Sequence, residues 1–182
     1  MLDNINSAYI LRKTLSYMDE GKKLELVIYN KNLQNKLNIS ITNYKFFRGR
    51  YKIGGKVGTV KEFNGLNDEL IFEGNYFNGK RNGKGKEYDG NGRLKFEGKN
   101  LKGKRNGKGK EYDDFQKLIF EGEYLNGKRN GKGKEYDENG RLKFEGEYLN
   151  GKRNGKGKEY DKHGLIFEGE YLNGKRNGKW KE

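Results

Sequence analysis

The eleven residues GKRNGKGKEYD stand unchanged at 79–89, 103–113, 127–137 and 151–161. Anchored on the phenylalanine ahead of each, the copies begin at Phe72, Phe96, Phe120 and Phe144. A clipped copy begins at Phe167, and a worn one, FRGRYKIGGKVGTVKEFN, at Phe47. A near-constant period of this length dictates stacked units, none of which buries a core without its neighbours. Six units fill 47–182 and leave 1–46 as a separate N-terminal segment.

Within a unit the apolar period is two. In LKFEGEY, Leu142, Phe144, Gly146 and Tyr148 fall on one face, with Lys143, Glu145 and Glu147 on the other, the alternation of a half-buried strand. GKGKEY, 155–160, is the second strand, and NGKRNG between them carries the Asn-Gly chemistry of a hairpin tip. The connections DGNG, DENG and DKHG are turns of the same kind, with DDFQ as the exception. The predicted fold is therefore an all-β repeat array: an elongated, single-layer antiparallel meander of β-hairpins, preceded by a small α-helical segment. With 31% hydrophobic and 36% charged residues the core must be thin, and the 13% aromatic residues have to supply it. A glycine beside a bulky ring lets the ring lie over bare backbone. The Phe and Tyr of each first strand are thus expected to cover glycines of a neighbouring strand in one continuous stripe. The opposite face would carry solvated Lys–Glu pairs worth about 0.2–1 kcal/mol each. GKRNG is read as the tip, with its lysines and arginine dispensable for folding.

FEGEYLNGKRNGKGKEYD, at Phe120 and Phe144, resembles the MORN repeat, and the resemblance covers about three quarters of the chain. It implies a twisted sheet of hairpins with an aromatic groove and a non-catalytic role as scaffold, dimerisation module or protein-binding surface, with a link to acidic phospholipids. Carried onto this chain, the partner-binding groove would be lined by Phe96, Phe120, Tyr124, Phe144, Tyr148, Phe167 and Tyr171. Asn100 departs from the pattern, standing where the other close copies have Tyr, and so does the worn unit at Phe47. Both are expected to weaken the groove. Trp180, in place of the second glycine of GKG, is expected to cap the end of the stripe.

In NSAYILRKTLSYMDE, Leu11, Leu15 and Met18 recur at helical spacing, and KKLELVIYNKNLQNKL reads as one or two further short helices. The run 8–37 is similar to an F-box, with an Ile10-Leu11 opening, Leu15 and Met18 before an acidic turn, and Leu24 and Leu26 beyond it. That resemblance implies docking of Ile10, Leu11, Leu15 and Met18 on a Skp1-like adaptor of a ubiquitin ligase. The reading placed ahead of it is a helical cap over the edge strand of the first hairpin.

Catalytic constellations are missing. His163 is the one histidine and there is no cysteine, so no zinc set can be assembled. GKRNGKGK has the wrong spacing for a phosphate-binding loop, and Arg93 interrupts the calcium-loop beginning of DGNGR. No enzyme, metal or cofactor is expected. Absence of cysteine, of a roughly 20-residue apolar run and of a basic-then-apolar start suggests a cytoplasmic protein, peripheral to membrane or cytoskeleton at most.

The net charge is +14, of which seven basic against four acidic residues in 1–46 leave the larger part on the array. Stacked tips about 10 Å apart would align Lys80, Arg81, Lys104, Arg105, Lys128, Arg129, Lys152, Arg153, Lys175 and Arg176 as a basic stripe. Such a stripe suits an anionic membrane surface better than nucleic acid, because the rings are expected on glycine and not free to stack on bases. Solubility and duplication of one unit explain the stripe first, ahead of an anionic lipid surface and then nucleic acid. A protein partner or self-association along the groove is the leading reading.

Overall fold

The computed structural model describes residues 13, 15–18, 30–37 and 49–177. Trp180, Ile10, Leu11 and most of the F-box-like run lie outside these residues. Twelve strands follow one another: β1 (Arg50–Ile53), β2 (Gly58–Asn64), β3 (Leu70–Phe77), β4 (Lys80–Tyr88), β5 (Leu94–Leu101), β6 (Lys104–Tyr112), β7 (Leu118–Leu125), β8 (Lys128–Tyr136), β9 (Leu142–Leu149), β10 (Lys152–Asp161), β11 (Gly164–Leu172) and β12 (Lys175–Asn177). They hydrogen-bond in chain order as one sheet, the single-layer meander that the alternation predicts.

The described residues form two groups, those up to Lys52 with Glu62–Glu69, and Ile53–Lys61 with Leu70 onward. In the first group, α1 (Lys31–Leu37) is capped by Asn30, whose Oδ1 accepts the Leu33 N–H at 3.0 Å, and Leu33 is buried. Lys13, Leu15 and Ser16 are helical and Leu15 is buried. Tyr51 stacks on Phe63 with ring centroids 5.1 Å apart.

In the second group the tip is shorter than GKRNG. Leu125 pairs with Lys128, so only Asn126 and Gly127 turn the chain. Both have positive φ, 52° and 90°, as a two-residue hairpin matched to strand twist requires. Lys-Arg-Asn therefore belongs to β8, and the second Asn-Gly sits where the register of the hairpin shifts. That second asparagine has a use: Asn130 Oδ1 accepts the Asn150 N–H at 3.4 Å, while Gly151 N–H donates to the Arg129 carbonyl at 2.8 Å. Each tip is thus tied to the next. At the other edge, Asp137 Oδ1 accepts the N–H groups of Asn139 and Arg141, both at 2.9 Å. DDFQ is built the same way on Asp113, with Gln116 at φ 64° where Gly140 stands one unit later.

From Gly74 on β3 to Gly169 on β11, each strand sets one glycine opposite a glycine of the next. The rings lie on this lane. A Cβ built at Gly133 would be 2.6 Å from Phe120 Cζ and 3.1 Å from Tyr148 Cε2, so the ring of its own hairpin and the ring of the next unit both rest on its backbone. Phe96, Tyr124, Phe120, Tyr148, Phe144, Tyr171 and Phe167 then run edge to face, with centroids 5.2–5.7 Å apart. Each such contact contributes about 0.5–1.5 kcal/mol beyond area burial. Asn100 interrupts the run: Val60, Phe72 and Tyr76 form a separate cluster. Val60 takes the glycine place of the worn hairpin and fills the space itself.

Candidate functional site

The two faces of the array differ in chemistry. On the ring face, Arg81, Arg105, Arg129, Arg153 and Arg176 turn back over Phe72, Phe96, Phe120, Phe144 and Phe167, with guanidinium carbons 3.9–4.5 Å from the ring centres. Arg105, Arg129 and Arg153 each also join two glutamates of successive hairpins. Arg129 lies 2.5 Å from Glu111 and 3.6 Å from Glu135, and Arg153 lies 2.5 Å from Glu135 and 2.8 Å from Glu159. Tyr124 and Tyr148 hydroxyls donate to Glu111 and Glu135 at 2.8 and 2.7 Å. Burial alone would raise these carboxyl pKa values, but the bonds from arginine and tyrosine outweigh it and hold Glu111, Glu135 and Glu159 below the ordinary value. Burial, and then the bond to the carboxylate, push Tyr124 and Tyr148 up.

This arrangement corrects two expectations. The seven rings named as groove residues come together, but none is more than 7% exposed, and they are closed over by the arginine–glutamate ladder. They form the core and line no open groove. The basic stripe divides as well: its five arginines pack and pair on the ring face, while Lys80, Lys104, Lys128, Lys152 and Lys175 remain exposed. The arginines are therefore part of the fold. The signal for this was in the alternation, which sets Glu87, Glu111, Glu135 and Glu159 on the glycine-and-ring side of the second strands, where a cation has to meet them.

The open site is on the opposite face. A trough of about 1430 Å³ crosses the strands, its floor the glycine lane and its walls the flanking lysines and glutamates. Beside the lane, Lys110, Lys134 and Lys158 reach Glu121, Glu145 and Glu168 at 3.9, 3.8 and 3.3 Å. Tyr88, Tyr112, Tyr136 and Tyr160 brace that wall, donating to Glu73, Glu97, Glu121 and Glu145 at 2.6–2.8 Å. Burial, with the bonded carboxylate next, raises Tyr88, Tyr112 and Tyr136 to about 12. On the same face, toward the tips, Phe77, Leu101, Leu125, Leu149 and Leu172 stand about half exposed, each paired with one of the five free tip lysines. Among the described residues no cluster of three His, Cys, Asp or Glu is set to hold a metal ion, and no helix is long and apolar enough to cross a membrane. His163 is an exposed residue of the turn after β10.

The family model of the MORN repeat matches residues 72–92, 101–114, 120–140, 144–164 and 167–179. No curated protein matches the chain. Among solved structures, a crystal structure of TarM is similar at 12% identity over 79% of this chain and 31% of that one, with a TM-score of 0.37. A mutant of S. aureus TarM in complex with Fondaparinux, alpha-GlcNAc-glycerol and UDP is similar at 12% identity over 86% of this chain and 30% of that one, with a TM-score of 0.30. The chain spans less than a third of either structure.

Proposed function

The chain belongs to the MORN-repeat family, whose units are modules that bind proteins or lipids, and from that premise we propose a non-enzymatic protein-interaction module whose partner lies in the trough of the lysine–glutamate face. The supporting observation is the contrast between faces: one is sealed by arginine over phenylalanine, the other is open along a backbone floor. The volume, about 1430 Å³, exceeds the roughly 300–1,000 Å³ of a small-molecule pocket. Nine strands at about 4.8 Å give a length of about 38 Å, room for about eleven residues of extended chain. Charged walls set its register, and the half-exposed leucines beside them offer apolar contact. An extended peptide segment of a protein partner fits these features.

The test is selection of twelve-residue peptides on the full chain, followed by affinity measurement against wild type and a Lys134→Trp, Lys158→Trp variant whose indoles fill the trough. At least a tenfold loss is expected. Equal affinity for both proteins contradicts the reading. Tyr124→Ala and Tyr148→Ala are unsuitable probes of binding, because those rings are core.

One observation favours a second reading. The alternation of Phe77, Leu101, Leu125, Leu149 and Leu172 with lysines along the tips is an apolar–cationic edge suited to an anionic bilayer, at about 1 kcal/mol per basic residue near the surface. Cosedimentation with phosphatidylserine vesicles that survives charge reversal of Lys104, Lys128 and Lys152 sinks it. Adaptor docking through the N-terminal segment has less support: Leu15, one of its four residues, is buried.

A further inference from the structure

One strand breaks the charge rhythm of the trough. In the row nearer the tips, the regular units oppose lysine with glutamate: Lys108 with Glu123, Lys132 with Glu147, Lys156 with Glu170. Between β4 and β5 the opposed pair is Lys84 with Lys99. On its other side Lys99 leans over β6, where its methylenes lie against Gly107, next to Lys108. Three lysines thus stand in line across three strands. Lys86 and Lys110 occupy the neighbouring row, with Glu97 as the one acid between them. All five lysines are exposed and line the trough. Among the described residues no carboxylate comes within ion-pair distance of Lys84, Lys99 or Lys108, whereas Lys110 reaches Glu121.

Like charges placed opposite one another on a sheet destabilise it, and the fold does not ask for them here. Position 99 corresponds to Glu123, Glu147 and Glu170 in units with the same backbone. We infer that the trough over β4–β6 is a specificity site for an acidic stretch of an extended peptide, two or three carboxylates long. This rests on the trough being the partner site. The cationic row spans about 10 Å and stops at Glu121 and Glu123, so a long polyanion such as nucleic acid would run onto glutamates, and the residues lining the trough include no aromatic ring to stack on its bases. A planar headgroup layer does not enter a trough. A short acidic segment, followed by residues tolerant of alternating charge, matches the whole length.

The probe is a fluorescein-labelled hexapeptide of alternating Asp and Glu, titrated into the full chain at low salt, with an Asn-Ser hexapeptide, a twenty-nucleotide single strand and phosphatidylserine vesicles in parallel. Lys99→Glu installs the residue of the sister units, so its fold is safeguarded. It is expected to weaken the acidic peptide roughly tenfold, having removed one attraction and added one repulsion. Glu147→Lys continues the lysine row across β8–β10 and is expected to add a second binding event per chain. Backbone shifts should centre on Gly98 and Gly109 rather than on Gly146 and Gly157. Acidic-peptide affinity indifferent to Lys99→Glu, or shifts centred on Gly146 and Gly157, overturns the inference while leaving the trough reading in place. Tighter binding of the oligonucleotide or vesicles than of the peptide, lost in Lys99→Glu, also overturns it. If selected peptides themselves ignore the trough-filling tryptophans, the failure belongs to the trough reading.

Discussion

Replacing Gly133 by alanine puts a methyl group where two rings already are. The new Cβ would sit 2.6 Å from Phe120 Cζ, 2.7 Å from Cε2 and 3.1 Å from Tyr148 Cε2, against the roughly 3.5–4.0 Å of a relaxed carbon contact. Phe120 must retreat by about 1 Å, but it is fully buried, with Arg129 3.9 Å above it and Tyr124 and Tyr148 at its edges. Overpacking of this kind costs about 1–3 kcal/mol. The lower entropy of an unfolded alanine returns about 0.4–1 kcal/mol, leaving a net loss of about 1–2 kcal/mol. Gly127→Ala is the control with a different cause: nothing lies within 4 Å of its Cβ, but φ is 90°, and the strain is about 1–2 kcal/mol. Urea unfolding followed by tyrosine fluorescence measures both, each alone and combined with Phe120→Leu. The smaller side chain should relieve Gly133→Ala, giving a coupling above about 0.5 kcal/mol, and leave Gly127→Ala additive. A Gly133→Ala protein as stable as wild type, or additive with Phe120→Leu, refutes the idea that the glycines are there to be covered.

Three further outcomes follow from the ring face. Arg129→Lys keeps the charge but loses the flat stack on Phe120 and the forked pairing to Glu111 and Glu135, so it should cost about 1–2 kcal/mol in urea unfolding, whereas Lys128→Ala, at an exposed position, should change stability by less than about 0.5 kcal/mol. Glu111, Glu135 and Glu159 have folded-state pKa values below 4.5; the unfolded chain takes up their protons first, so their stabilisation is complete above about 4.5 and is lost as pH falls through the depressed values. Urea midpoints measured from pH 7 to 3 should drop below about 4.5, less steeply in Glu135→Gln. Asn100 has a buried amide nitrogen without a partner and leaves Phe72 and Phe96 in separate clusters; Asn100→Tyr should bridge them, gain about 1–2 kcal/mol and slow amide exchange in β4 and β5.

Much of this was legible because one unit is written repeatedly. Period-two alternation located the strands, and the Asn-Gly pairs located the turns. Glycine beside phenylalanine foretold the covered lane. The partition of charge was not legible from composition, because Lys80 and Arg81 are adjacent letters with opposite fates: alternation sends the arginine to the ring side, where Phe72 and Glu87 receive it, and the lysine to the open side. The groove was expected on the face with the rings, since large aromatic residues suggest contact. Their burial follows from the thinness of the sheet, which has no second layer and uses its own arginines and glutamates as the lid. The trough was hidden for a related reason: its floor is backbone, and glycines announce themselves as packing residues for one face without saying that the other is left bare. The second Asn-Gly, read as part of the tip, is a strand residue whose side chain ties neighbouring tips together.

Side-chain NMR of the full chain, titrated with a trough-selected peptide, separates the two faces directly. Lysine Cε–Hε signals report the open face, and arginine Nε–Hε signals together with Phe and Tyr ring signals report the sealed one. Saturable shifts of Lys84, Lys99, Lys108 and Lys132, with the Arg105, Arg129 and Arg153 Nε–Hε signals unmoved, are the predicted result. Movement of the arginine and ring signals while the lysines stay in place would contradict it.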